Sequence, residues 1–144
     1  MTFPATESVI ARGAEAKLRY GWSKTGAVYA NYTHESLTFG GAQQVDERGT
    51  PSHKFNFGAM ADLTHGFSAS VNAGWKDDYL SSAVLGRGQG GVRAYWRLDA
   101  RAAYAYKGAE FFVAGQNLTR PAHQVEFNGL DVPRTFYGGC SAKF

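Results

Sequence analysis

Apolar and polar side chains alternate along most of this 144-residue chain, and this period of two constrains the fold more than any other feature. Successive residues of a β-strand point to opposite faces of a sheet, so the pattern gives each strand one apolar and one polar face. In a helix the same apolar residues would scatter around the cylinder. Seven stretches show the pattern, at positions 12–22, 27–38, 53–64, 67–76, 94–104, 110–127 and 135–144. The sequence therefore predicts an all-β chain.

The order of these stretches predicts an antiparallel up-and-down meander of about seven strands. An eighth strand would need residues 1–10, which we expect to form a loop or a partial strand because Pro4 and Glu7 suit a strand poorly. The stretch 110–127 breaks its pattern before Pro121, which cannot donate to a hydrogen-bond ladder. We interpret it as one long strand with a bulge.

The connections between the stretches alternate in length. Ser23 to Gly26, His65-Gly66 and Lys107-Gly108 are tight turns, whereas 39–52 and 80–91 are long and polar or rich in glycine. Short turns on one rim and long loops on the other are typical of outer-membrane barrels. Soluble sandwiches have Greek-key crossovers and do not show this strict alternation.

Composition excludes several other classes of protein. No run of about 18 apolar residues could form a transmembrane helix, and the first eight residues lack the pattern of a secretory signal. Cys140 is the single cysteine, which excludes an internal disulfide and a cysteine-based zinc site. The formal net charge is +3 without a block of Lys and Arg, so we expect no nucleic-acid partner.

The charges on one face indicate which side of the predicted sheet meets lipid. Turning Arg97 or Arg101 toward hydrocarbon would cost up to about 2–4 kcal/mol each near the bilayer midplane, and less for Asp99. The opposite face of the same stretch, with Trp96 and Leu98, carries no such cost. The strands are therefore expected to belong to a transmembrane β-barrel. The alternative is a soluble, lipocalin-like barrel with its apolar face inward, because alternation alone does not say which side is water.

Several short motifs occur in an order that resembles a known family. They are Gly13-x-Glu15, Pro51-Ser-His53-Lys54, Tyr95-x-x-Leu98-Asp99 with Tyr104, Asn117-Leu118, Pro133-Arg134-Thr135-Phe136, and the terminal Phe144. In this order and spacing, the sequence resembles the C-terminal barrel segment of TonB-dependent outer-membrane receptors over essentially its whole length. Asn117-Leu118 is followed by Thr119-Arg120, where that family commonly has Phe-Asp, so this turn is expected to be built differently.

The resemblance implies a role in nutrient import and a set of partners. Members of the family form a 22-stranded barrel that is closed by an N-terminal plug, and they import ferric siderophores, haem, cobalamin or carbohydrates. Residues 11–144 of this chain would then form the C-terminal strands of such a barrel, without the plug. Its partners would be outer-membrane lipid, the remainder of the receptor and, through the plug, the TonB energy-coupling complex.

The resemblance also implies an assembly signal in the last strand. In the family, the final strand with its terminal aromatic residue is recognised by the barrel-assembly machinery. The matching positions here are Phe136, Cys140, Ala142 and Phe144. A second hypothesis remains open, in which the chain is a small self-contained outer-membrane barrel of about eight strands.

Motifs for catalysis, cofactors and metals are weak. The segment 86–91 fits Gly-x-Gly-x-x-Gly, but an alternating strand follows it instead of the helix that would meet a pyrophosphate. His34, His53, His65 and His123 lie in separate elements, and we expect none of them to pair with a second ligand at metal spacing. We therefore expect no catalytic residue, no bound cofactor and no metal site.

Overall fold

The computed structural model describes residues 8–40, 50–80, 91–119, 125–126 and 130–142. These residues form eleven strands and a 3₁₀ turn at Thr64–Gly66. The strands are β1 (Ser8–Gly21), β2 (Ala27–Gly40), β3 (His53–Asp62), β4 (Phe67–Lys76), β5 (Tyr79–Leu80), β6 (Gly91–Val92), β7 (Tyr95–Tyr106), β8 (Ala109–Gln116), β9 (Val125–Glu126), β10 (Leu130–Asp131) and β11 (Thr135–Ala142).

Seven of these strands form a single antiparallel sheet. Its order is β1-β2-β3-β4-β7-β8-β11, so the strands follow one another across the sheet in the order in which they occur along the chain. The short strands β5 and β6 pair with each other in the connection from β4 to β7, and β9 pairs with β10 in the connection from β8 to β11. The predicted up-and-down meander of seven strands is confirmed. The first strand begins at Ser8, within the segment that was expected to be a loop or a partial strand.

Tight turns join β1 to β2, β3 to β4 and β7 to β8, and we call this end of the sheet the tight-turn rim. Two of the turns place a non-glycine residue and a glycine in succession at positive φ, with His65 at 61° and Gly66 at 82°, and Lys107 at 48° and Gly108 at 82°. A Cβ atom on Gly66 would lie 2.5 Å from the carbonyl oxygen of Ala105. Glycine is therefore required there both for its conformation and for the close approach of β7. The opposite end, where the long connections lie, is called the long-loop rim.

The eighth strand ends earlier than expected. Asn117 has φ 52°, and its backbone N–H donates to Asp99 Oδ1 at 2.8 Å instead of continuing the ladder with β11. The N–H of Leu118 then donates to the carbonyl oxygen of Leu98 at 2.8 Å. The prediction of one long bulged strand over 110–127 was therefore wrong, because a side chain of β7 captures the backbone where the strand leaves the sheet.

The sheet is a single layer with little interior. The buried apolar residues of the described chain are four alanines, Val92 and Tyr95. Large apolar side chains lie exposed on the strands, among them Leu18 at 70%, Val113 at 65% and Phe136 at 69%. No helix among the described residues is long and apolar enough to cross a membrane.

Candidate functional site

The register of the seven strands separates the side chains into two faces. Residues directly opposite each other on paired strands point to the same side of the sheet. One such row crosses all seven strands and contains no charged side chain: Tyr20, Val28, Ala59, Val71, Ala100, Gly115 and Phe136. The row next to it, on the other side of the sheet, contains Arg19, Tyr29, Gly58, Asn72 and Asp99. We call these two sides the apolar face and the polar face.

Aromatic residues form one line across the apolar face near the long-loop rim. Tyr32, Phe55, Trp75 and Trp96 stand opposite one another on β2, β3, β4 and β7. The ring centroids are 4.6 Å apart for Tyr32 and Phe55, 5.7 Å for Phe55 and Trp75, and 6.4 Å for the two tryptophans. We call these four residues the first aromatic row.

A second aromatic row lies near the tight-turn rim. It contains Phe67, Tyr104 and Phe111, which are aligned across β4, β7 and β8. From Trp96 to Tyr104 along β7 is eight residues, or about 26 Å of strand. A barrel tilt of about 35–45° reduces this to roughly 20 Å along the membrane normal, close to the band of about 25 Å between aromatic girdles.

The polar face carries paired charges and hydrogen bonds. Three ion pairs lie on it: Lys17 Nζ is 3.1 Å from Glu15 Oε1, Lys54 Nζ is 3.4 Å from Glu35 Oε2, and Arg97 Nη2 is 3.1 Å from Asp99 Oδ2. Further along β7, the guanidinium of Arg101 pairs with Glu110 and stands over the ring of Phe112, 4.9 Å from its centroid. Because these groups satisfy one another, this face suits a polar, water-containing space.

One close cross-strand contact shapes the polar face. The Tyr29 hydroxyl donates to Asn72 Oδ1 at 3.0 Å, and the ring lies over Gly58 on the intervening strand. A Cβ atom on Gly58 would lie 2.5 Å from the Tyr29 hydroxyl oxygen. Glycine at position 58 therefore leaves room for the tyrosine to span β3 and reach β4.

Asn117 links three elements at the end of β8. The residue is 1% exposed, and its side-chain amide donates to the carbonyl oxygen of Val132 at 2.7 Å. Its backbone N–H is held by Asp99, which also pairs with Arg97. Asp99 and Asn117, two positions that carry the sequence resemblance, therefore fix the chain where it approaches β11.

The predicted assembly-signal residues lie along one side of β11. Phe136, Cys140 and Ala142 stand opposite Gly115, Phe111 and Ala109 of β8, on the apolar face. Phe136 is 69% exposed, and Cys140 and Ala142 are also exposed. Phe144 lies outside the described residues. The strand has β8 on one side and no second partner strand within the described part of the chain.

The described residues give little support to a nucleotide site at the glycine-rich segment 86–91 or to a metal site with three or more ligands. Residues 81–90 lie outside the described chain, and Gly91 begins a strand rather than a helix. Among the described residues, no group of three or more His, Cys, Asp and Glu side chains is placed to hold a metal ion.

Two histidines from separate strands lie side by side, while the expectation that no histidine pairs with a second ligand at metal spacing stays a prediction. His34 of β2 and His53 of β3 stand directly opposite each other, with ring centroids 4.7 Å apart. His65 lies in the turn between β3 and β4 at the other rim, and His123 lies outside the described residues. The sequence could not predict this pair, because the register between two strands joined by a long connection is not set by a turn.

Comparison with known proteins supports the fold. No protein-family model and no curated protein sequence matches the chain. Among solved structures, the ferric-catecholate import receptor Fiu from Escherichia coli K12, in its closed form, matches with a TM-score of 0.72 and 20% sequence identity. The match covers 93% of this chain. The sheet has the fold of a receptor segment. The expectation of a receptor-barrel segment is thus confirmed for the fold. The chain spans 21% of the length of that receptor.

Proposed function

We propose that the chain is a C-terminal barrel segment of a TonB-dependent outer-membrane receptor that imports a nutrient such as a ferric siderophore. One observation carries the proposal: between two aromatic rows, a seven-stranded meander keeps the charged side chains of its described strands on the face opposite a continuous apolar surface. The similarity to a ferric-catecholate import receptor supports the choice of cargo class. The proposed role is transport and not catalysis.

In this proposal the apolar face meets the lipid of the outer membrane. Burying that face in hydrocarbon gains about 25 cal/mol for each square ångström removed from water. The aromatic rows would then lie in the two interfacial girdles, where their rings contact both hydrocarbon and headgroups. The paired charges of the polar face would line the interior and contact the plug.

The two edges of the sheet require partners. The described strands do not close into a barrel, because β1 and β11 lie at opposite ends of the sheet order and do not pair. In lipid, each unpaired N–H or C=O of an edge costs several kcal/mol. We therefore infer that β1 and β11 pair with further strands of the receptor. This inference favours a receptor segment over a self-contained small barrel and over a soluble one.

The last strand would also carry the signal for assembly. Phe136, Cys140 and Ala142 present small and aromatic side chains along the lipid side of an edge strand, and Phe144 would add the terminal aromatic residue. These residues would be recognised by the barrel-assembly machinery before the strand pairs.

Uptake of iron by whole cells tests this function. The receptor that contains this chain is expressed in a bacterium that lacks its own catecholate receptors, and accumulation of ⁵⁵Fe-labelled ferric catecholate is measured with and without functional TonB. We expect uptake that depends on both the receptor and TonB, and a receptor that fractionates with the outer membrane. Recovery in the soluble fraction would contradict the proposal, as would failure to take up any ferric complex.

A further inference from the structure

The paired histidines lie at the long-loop rim, just beyond the first aromatic row. His53 is two residues from Phe55 along β3, so the pair lies about 6–7 Å nearer the rim than the aromatic rings. Both histidines are partly exposed. The pair lies at the long-loop end of the apolar face, and water reaches both side chains in this structure.

The hydrogen bonds of the two rings fix which nitrogens are available. His34 Nδ1 lies 3.2 Å from the carbonyl oxygen of Ser52, which also accepts the backbone N–H of Glu35 at 2.9 Å. A carbonyl oxygen can only accept, so His34 Nδ1 carries the proton and Nε2 of the neutral ring carries a free lone pair. His53 Nδ1 lies 2.8 Å from the Tyr32 hydroxyl. Both rings thus use Nδ1 for positioning contacts, and Nε2 is the nitrogen left for a ligand; in His53 this requires the tautomer whose Nδ1–H donates to the Tyr32 hydroxyl oxygen.

This arrangement matches the surroundings of metal-binding histidines. Such histidines usually donate their second ring nitrogen to a carbonyl, a carboxylate or another polar oxygen, which orients the ring. A metal ion about 2.0–2.1 Å from two imidazole nitrogens holds those nitrogens roughly 3–4 Å apart. The rings are stacked, with centroids 4.7 Å apart and an interplanar angle of 28°, so the two side chains must rotate out of the stack for their nitrogens to converge on one ion.

We propose that His34 and His53 bind a divalent transition-metal cation, with Cu²⁺ preferred over Zn²⁺ and Ni²⁺. Two imidazoles with the remaining positions filled by water suit the tetragonal geometry of Cu²⁺, which also has the highest affinity in the divalent series. Among the described residues no third His, Cys, Asp or Glu side chain is placed to join the pair, so two histidines make up the protein ligand set. The site depends on the pairing of β2 with β3 and not on the proposed import function.

Metal titrations of matched variants test the site. The complete protein containing this chain, purified in detergent, is titrated with Cu²⁺ and examined by electron paramagnetic resonance. We expect one Cu²⁺ with two nitrogen ligands per chain in the parent. His34→Ala and His53→Ala should each lose one nitrogen ligand and bind at least about tenfold more weakly. His65→Ala is the matched control and should bind like the parent.

A positioning variant separates ligation from simple loss of structure. Tyr32→Phe keeps both imidazoles but removes the hydroxyl beside His53 Nδ1, so Cu²⁺ should still bind through two nitrogens, about tenfold more weakly. Parent-like affinity in both His34→Ala and His53→Ala would overturn the proposal.

Chemical protection gives a test without any substitution. Diethylpyrocarbonate modifies accessible imidazoles, and peptide mass spectrometry reports each histidine separately. Saturating Zn²⁺ should protect His34 and His53 by at least about tenfold in rate, and leave the rate at His65 unchanged. Equal modification of the pair with and without Zn²⁺ would overturn the proposal even if the alanine variants fail to fold.

Discussion

At some positions of this sheet, a single residue determines how closely a neighbouring strand or aromatic ring can approach the backbone. Gly58 and Asn117 are two such positions: the first lets the Tyr29 ring cross β3, and the second ends β8 in a left-handed conformation. Both depend on contacts made by a neighbouring strand. Their effects should therefore be separable by combining substitutions on the two strands.

Gly58→Ala should destabilise the protein by about 1–3 kcal/mol, because the new methyl group displaces the Tyr29 ring and breaks its bond to Asn72. Unfolding in urea, measured in detergent, gives the free energy. Tyr29→Phe, which removes only the hydroxyl, should cost about 1 kcal/mol. In a Tyr29→Ala background the cost of Gly58→Ala should disappear, and an unchanged cost would show that the ring is not the obstacle.

Asn117→Ala should destabilise the protein by about 1–3 kcal/mol. It removes the donor to Val132 and places a Cβ-bearing residue without a local hydrogen bond at positive φ. Asn117→Gly loses only the side-chain bond and should cost less in the same unfolding measurement. If glycine is as harmful as alanine, the left-handed conformation contributes nothing.

The sequence could predict the features that depend on neighbours along the chain, but not those that depend on contacts between distant residues. Alternation alone predicted the faces of Arg97 and Trp96 and the tight turn at Lys107-Gly108, because those features depend on neighbours along the chain. The end of β8 was missed because it depends on a hydrogen bond from Asn117 to Asp99, 18 residues earlier. The His34–His53 pair was missed for the same reason, since a long connection leaves the register open.

At the scale of the strands, neighbouring positions on one strand should tolerate charge very differently. Ala59 of β3 lies on the apolar face between Val28 and Val71, and Met60 lies on the polar face between Ala27 and Ser70. Ala59→Arg should destabilise the folded receptor in lipid by about 2–4 kcal/mol, whereas Met60→Arg should change it by less than about 1 kcal/mol. The free energy of unfolding of each variant is measured by urea titration in lipid bilayers. Equal losses for Ala59→Arg and Met60→Arg would contradict a lipid-facing and a water-facing side.

The last strand makes a separate prediction about assembly. Deleting Phe144 from the complete receptor should lower the amount of folded, heat-modifiable protein in the outer membrane, because the terminal aromatic residue would be missing from the proposed signal. Phe136→Ala should act in the same direction, and Lys143→Ala serves as the matched control. Unchanged assembly in both the deletion and Phe136→Ala would count against a signal in β11.

At the scale of the whole molecule, an open sheet is unstable in a bilayer. With the outer edges of β1 and β11 unpaired by any described strand, the 144-residue chain on its own should neither insert stably nor form a pore. Planar-bilayer recordings should show no defined conductance, and gel migration should not change on heating. A discrete channel formed by the isolated chain would contradict the proposed dependence on further strands.

The orientation of the two faces can be measured on β7 of the complete receptor in lipid. Single cysteines are placed in turn at positions 96–102 in a Cys140→Ser background and spin-labelled. Collision with oxygen, which concentrates in hydrocarbon, is compared with collision with a water-soluble nickel chelate. We expect the collision rate with oxygen to be highest at 96, 98, 100 and 102 and the collision rate with the nickel chelate to be highest at 97, 99 and 101. The reverse alternation would place the charged residues against lipid and contradict the proposed orientation of the sheet.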